Sequence, residues 1–235
     1  MENAHTMSEI DLVIFDCDGV LVDSEIIAAR VEAELLTAAG YPIEAEELAR
    51  LYSGLTFKDI MLRIEQESQQ LFQASLIGEA EAMVDRRLRS EVRAIEGVHE
   101  AVASVTGKRC ICSNSSAERL QAMLTRTHIL PFFDGRIFSS LDTPSKKPKP
   151  APDVFLHAAD KMDADPRRTF VIEDSVHGVS GARAAGMRVI GFTGASHSHP
   201  GHADMLMEAG AETAIRRWAD FPAMLAALSE WSEDA

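Results

Sequence analysis

The sequence predicts an α/β protein: a doubly wound parallel sheet, interrupted after its first strand by an all-helical insert. Three observations lead there. Short apolar runs of strand length alternate with amphipathic segments from Ile95 onward, the pattern of parallel pairing through right-handed crossovers. Residues 24–92, by contrast, carry only helical spacing. Several of the apolar runs also end on acids or a hydroxyl followed by a helix start, and ligands bind at that edge of an open α/β sheet.

The first strand is Leu12 to Phe15, too short and too uniformly apolar for an amphipathic helix. In the insert, Ile27, Val31, Leu35 and Ala38 recur at helical spacing until Gly40-Tyr41-Pro42 stops them. Phe57, Ile60, Met61 and Ile64 mark another helix with Thr56 as N-cap, and Ile77, Ala80, Val84 and Leu88 a further one. Strands are then expected at Lys108 to Cys112, Gly135 to Phe138, Arg168 to Ile172, Met187 to Phe192 and Thr213 to Ile215. The segments between them, among them Val154 to Ala159 and Val179 to Ala185, read as helices.

Composition narrows the function. The 235 residues are 46% hydrophobic and 26% charged, as in ordinary globular proteins. A net charge of -14 argues against a nucleic-acid partner. Three cysteines are too few for a disulfide framework and favour a reducing cytoplasm. Cys110 and Cys112 alternate along a strand, and Cys17 should turn away from the acids beside it. No run approaches membrane-spanning length, no signal-peptide core is visible, and the first six residues, before Met7, read as unstructured.

Four strand ends carry the chemistry. Asp16 and Asp18 close the first strand just before Gly19. Two close acids there bind a cation, share a proton or react, unless they are merely solvated in a turn. Ser113-Asn114-Ser115 follows the second strand, and the spacing of Ser115 and Glu118 fits a capping box. A hydroxyl and free N–H groups at a helix start form an anion site, although Ser113 and Asn114 could equally do no more than cap. Lys149-Pro150-Ala151-Pro152-Asp153 holds a lysine rigidly, suited to a phosphate oxygen; Lys146 and Lys147 compete for that role. Glu173 and Asp174 end another apolar strand, and such hard oxygen ligands suit Mg²⁺. As helix-start acids they would also fit the macrodipole.

Together, the DxDGxLxDSE stretch from Asp16 to Glu25, Ser113-Asn114, the KPxPD from Lys149 to Asp153 and the Glu173-Asp174-Ser175 acids resemble the haloacid dehalogenase superfamily over essentially the whole chain. The resemblance implies a Rossmann-like core, residues 1–23 and 93–235, with a helical cap at residues 24–92. It implies Asp16 as nucleophile and Asp18 as general acid, then base, with the Asp18 backbone carbonyl facing Mg²⁺. Asp16 and Asp174 would be carboxylate ligands, with Glu173 bound directly or through water. Ser113, Asn114 and Lys149 would bind phosphate, and Gly54, Thr56 and Lys58 of the cap would contact the substrate.

True dehalogenases have no acid at the position of Asp18, so phosphoryl transfer is implied. Beta-phosphoglucomutases bring a histidine ten residues after the second acid, where this chain has Ala28, and a cap-loop arginine where it has Phe57. Those departures argue against mutase activity. The stretches Ala94 to Val98 and Glu173 to Met187, with Ser145-Lys146-Lys147 lacking the usual glycine before the lysine motif, are more similar to the sugar-phosphate phosphatase branch that includes 6-phosphogluconate phosphatase. The expected partner is a small phosphorylated metabolite, a sugar phosphate or sugar-acid phosphate, with the protein a monomer or weak dimer. The expected alternatives are a mutase of the same fold and a non-catalytic binding protein. His197, His199 and His202 read as a loop cluster that no acid completes into a transition-metal site.

Overall fold

The computed structural model describes residues 10–52, 55–68 and 70–230. The readings at the first six residues and at Gly54 therefore lie outside the described residues. Ten α-helices and six strands are described, and the strands form one parallel sheet in the order β3-β2-β1-β4-β5-β6.

Strand β1 (Leu12–Phe15) lies in the middle, between β2 (Lys108–Ser113) and β4 (Thr169–Glu173). Its four residues are all buried because both faces of the sheet are covered. Alternation divides them. Val13 and Phe15 join one apolar cluster with Ile111, Phe170 and Ile172, while Leu12 and Ile14 join the other with Cys110, Cys112 and Val171. Cys17 is buried in the first cluster, away from the neighbouring acids. The chain passes to one side of β1 for β2 and β3 (Ile137–Ser139), then to the other for β4, β5 (Arg188–Phe192) and β6 (Thr213–Ile215). The crevice at that reversal is where a ligand site is expected.

Between β1 and β2 come four consecutive helices, α1 (Glu25–Ala38), α2 (Ala45–Leu51), α3 (Phe57–Ser68) and α4 (Ser75–Glu91), followed by α5 (Val98–Ser104). Ile27 and Val31 of α1 pack with Val84 and Leu88 of α4 into the main core. Ala29, Ala33 and Leu36, on another face of α1, build a separate apolar cluster with Leu48, Phe57, Ile60 and Ile64. The two connections to the helical insert are tied to each other: Asp23 N–H donates to Arg93 O at 3.0 Å, and Ile95 N–H to Leu21 O at 3.0 Å.

The remaining helices are α6 (Ala117–Arg126), α7 (Asp153–Met162), α8 (Val176–Ala184), α9 (His202–Glu208) and α10 (Phe221–Glu230). The cap of α6 corrects the capping-box reading. Ser116, not Ser115, accepts from the N–H three residues on, at Arg119, while Glu118 pairs with Arg89 at 2.5 Å. Strand bounds also move by one or two residues in β2, β3, β4 and β5. β3 starts at Ile137 because Gly135 (φ +76°) and Arg136 still belong to a turn, closed by Arg136 N–H to Phe133 O. β4 runs on to Glu173, which pairs with Gly191, so that acid is delivered by the strand itself. No helix among the described residues is long and apolar enough to cross a membrane.

Candidate active site

Asp16 follows β1 directly, its N–H donating to Ile172 O at 3.0 Å. At the end of β4, Glu173 is fully buried and Asp174 is 7% exposed. One carboxylate oxygen from each of Asp16, Glu173 and Asp174 lies within 4.8 Å of the others. Three acids so close repel strongly, and only a cation or a proton relieves them.

Lys149 supplies the ammonium found among them. Its Nζ donates to Asp16 Oδ1 at 2.5 Å, Glu173 Oε1 at 2.5 Å and Cys112 O at 2.8 Å, with the Phe155 ring 5.1 Å away. Its competitors Lys146 and Lys147 are exposed. Burial alone would lower the Lys149 pKa, but Asp16 and Glu173 outweigh it and hold the ammonium charged. Burial raises the Asp16 carboxyl well above its ordinary value; Lys149 opposes this, and the neighbouring carboxylates add to it. Glu173 is raised for the same first reason. With one ammonium against three carboxylates, the pocket suits a hard divalent cation with oxygen ligands.

Asn114 holds the lysine loop. Its side chain accepts from Lys149 N–H at 2.9 Å and donates to Lys149 O at 3.4 Å, so the amide is engaged with the main chain. Glu173 is held in turn: Oε2 accepts from Ser175 N–H at 3.3 Å and Ser175 Oγ at 3.1 Å. The carboxyl fits there because residue 178 is glycine; a Cβ would fall 2.0 Å from Glu173 Cδ. Ser175 also caps α8 by accepting from Gly178 N–H.

Asp18 is gripped by three hydroxyls. Ser24 Oγ donates to Oδ1 at 2.8 Å, and Ser115 and Ser113 donate to Oδ2 at 2.8 and 3.3 Å. Ser24 and Ser115 fall within stretches that stand out in the sequence, yet neither is assigned this role there, because their spacing to Asp18 carries no signal for it. Gly19, at φ +72°, turns the chain so tightly under Asp174 that a Cβ would meet Asp174 Oδ2 at 1.9 Å.

The histidine cluster differs from the expected loop without an acid. His202 is the first residue of α9, and its Nε2 donates to Asp174 O at 2.6 Å, while His197 Nε2 lies 3.1 Å from Asp174 Oδ2. The acid is Asp174 itself, brought in from β4. Burial lowers the His202 pKa. For His197 burial also pulls downward, but the hydrogen bond and charge of Asp174 prevail and raise it.

The helical insert contributes Glu25 at the start of α1. It keeps contact with solvent, yet protein crowds it enough that desolvation, then the charges of Asp18 and Asp174, push its carboxyl up to about 7. Thr56 and Lys58 are exposed. The Thr56 hydroxyl caps α3, accepting from Asp59 N–H at 3.2 Å and donating to Asp59 Oδ2 at 2.7 Å.

Comparison with known proteins agrees with this arrangement. A family model described as haloacid dehalogenase-like hydrolase matches residues 10–186. The 6-phosphogluconate phosphatase of Escherichia coli K12 is 32% identical over 198 residues, 83% of this chain and 87% of that protein. Hexitol phosphatase B of the same strain is 32% identical over 191 residues, 79% of this chain and 84% of its own. A solved structure from Agrobacterium tumefaciens, a conserved haloacid dehalogenase-like protein of unknown function, superposes with a TM-score of 0.90 at 54% identity. That match covers 94% of this chain and 99% of the other.

Proposed function

The chain belongs to the haloacid dehalogenase-like hydrolases and is a phosphate monoester hydrolase; from that premise we propose that it is a Mg²⁺-dependent phosphatase of a small sugar phosphate or sugar-acid phosphate. The observation that carries the proposal is the meeting of Asp16 and Asp174, from two separate strand ends, with Lys149 in one buried acidic pocket. Lys149 comes from the loop before α7, not from a strand end as the sequence suggests. Similarity to phosphatases of phosphorylated sugars supports the substrate class.

Asp16 attacks phosphorus in line and carries the phosphoryl group as an aspartyl phosphate. Asp18, aimed by its three hydroxyl partners, protonates the departing alkoxide and then takes a proton from the hydrolytic water. Ser113 and Lys149 bind phosphoryl oxygens, and Lys149 offsets charge that develops on them. Asp16 and Asp174, with the Asp18 carbonyl, would hold the Mg²⁺, which supplies charge neutralisation and orientation of the phosphoryl group. Glu173 holds Lys149 through Oε1 and Ser175 through Oε2, and would meet the cation directly or through water. Residues 24–92 act as the cap that shields the site.

Ala28 supports a phosphatase over a mutase: no titratable side chain stands at that position of α1 to pass a proton for a second phosphoryl transfer. Phosphate release from p-nitrophenyl phosphate and a panel of sugar, sugar-acid and polyol phosphates tests the reading. Parent enzyme should release phosphate with Mg²⁺ and lose activity in EDTA, and Asp16→Asn should be inactive while folded. Isomerised sugar phosphate without free phosphate would overturn it.

A further inference from the structure

We infer that His197 and His202 form a two-point clamp on Asp174, and that His197 is a positioning residue for the metal-binding carboxylate. The inference rests on the metal-dependent reading above and adds to it a role for the segment between β5 and α9.

The chemistry of the partners assigns the protons. A backbone carbonyl only accepts, so His202 Nε2 carries hydrogen toward Asp174 O, and its Nδ1 accepts from Ser198 Oγ at 3.0 Å. The His199 ring stacks on His202 at 5.3 Å, fixing its plane. A carboxylate likewise only accepts, and His197 Nε2 faces Asp174 Oδ2 at 3.1 Å as its ion-pair partner. One histidine thus holds the main chain of Asp174 and the other holds one carboxylate oxygen. The other oxygen is left to a cation.

Two features separate this from packing. His197 Nδ1 is buried with no hydrogen-bond partner among the described residues, which costs stability, so fold strength does not explain an imidazole there. The segment is also anchored away from the site: Ser196 N–H donates to Asp23 Oδ1 at 3.2 Å and Ser196 Oγ donates to Asp23 Oδ2. Asp23 is the first connection into the helical insert, where its own N–H bonds to Arg93 O. The segment that carries His197 is therefore tied to the junction between core and insert as well as to Asp174, the kind of support that partners orienting metal ligands use.

Mn²⁺, a paramagnetic stand-in for Mg²⁺, is titrated into parent, His197→Ala and His197→Gln, and the free-ion EPR signal gives the affinity without turnover. We expect His197→Ala to bind Mn²⁺ about tenfold or more weakly, with the Mg²⁺ concentration for half-maximal activity rising equally and kcat at saturating Mg²⁺ falling far less. His197→Gln keeps an N–H donor and should recover most of the affinity. Circular dichroism melts identify any variant that is unfolded; if His197→Ala is one, His197→Leu, which fills the space without a donor, carries the comparison. Equal affinity in parent and in a folded variant without the donor overturns the clamp alone. A parent that binds no Mn²⁺ overturns the metal-dependent reading and the clamp with it.

Discussion

Lys149 Nζ lies 2.5 Å from Asp16 Oδ1 although 133 positions separate the two residues. The same ammonium holds Glu173 at 2.5 Å. Removing it leaves three buried carboxylates without a counter-charge. Lys149→Ala should therefore cost about 3–5 kcal/mol of stability without metal, and at least about a hundredfold in turnover. Added Mg²⁺ should raise its melting temperature more than the parent's, because the cation replaces the missing charge. Thermal melts in EDTA and in Mg²⁺ check this, and equal Mg²⁺ shifts in both proteins would contradict it.

Glu173 is placed by the absence of a side chain at Gly178, where a Cβ would fall 2.0 Å from the carboxyl carbon. Gly178→Ala should push Glu173 aside and carry the Lys149 ammonium with it. A displacement of about 1 Å in a positioning group costs on the order of a hundredfold. The loss should appear in kcat. At Gly78, by contrast, a Cβ would point into open space, so Gly78→Ala should keep full activity in the same assay.

Glu32 of α1 is raised from its ordinary 4.5 to about 7, first by desolvation and then by the charge of Glu25. The folded state therefore binds this proton more tightly than the unfolded chain. Stability falls as pH rises from about 4.5 to about 7, and above that the penalty is complete, at most about 3 kcal/mol. Glu32→Gln should melt at a higher temperature than the parent at pH 8, and the difference should vanish near pH 4. A gain independent of pH would show that the charge of Glu32 is not responsible.

Asp18 draws hydroxyl hydrogen bonds from Ser24 and Ser115, each at 2.8 Å. Losing one aligned partner of a general acid should slow leaving-group departure more than substrate binding. Ser115→Ala is expected to lower kcat about tenfold, roughly the worth of one hydrogen bond to a charged group, with KM little changed. The defect should shrink for p-nitrophenyl phosphate, whose leaving group needs little protonation. An equal defect on a sugar phosphate and on p-nitrophenyl phosphate would remove Asp18 from the acid role.

Much of the architecture is legible in the sequence because it depends on local pattern. The run Leu12 to Phe15 is apolar on both faces and forms the central strand, and the helical spacing of residues 24–92 forms four consecutive helices. Thr56 reads correctly as a cap, since capping involves groups three residues apart. Sequence reasoning goes astray where adjacent residues offer the same chemistry. Ser115 and Ser116 both suit a cap, and Ser116 takes the role because the Ser115 hydroxyl is drawn away to Asp18.

The site divides along the same line. Asp16, Asp18, Ser113 and Asp174 stand out as chemistry at strand ends, because an apolar run followed by a turn delivers the residues at its end to the sheet edge wherever the strand lies. Lys149 stands out only through the prolines around it, and it lies in the loop before α7. Which oxygen meets which donor depends instead on strand order. Placing β1 between β2 and β4 brings Lys149 onto Asp16, and the segment after β5 brings His197 onto Asp174. Such partnerships lie far apart in the chain, and burial makes them strong by removing water that would otherwise screen the charges. The kinds of groups and their strand-end positions are thus written in the order of residues; their pairing and their charge state belong to the folded molecule alone.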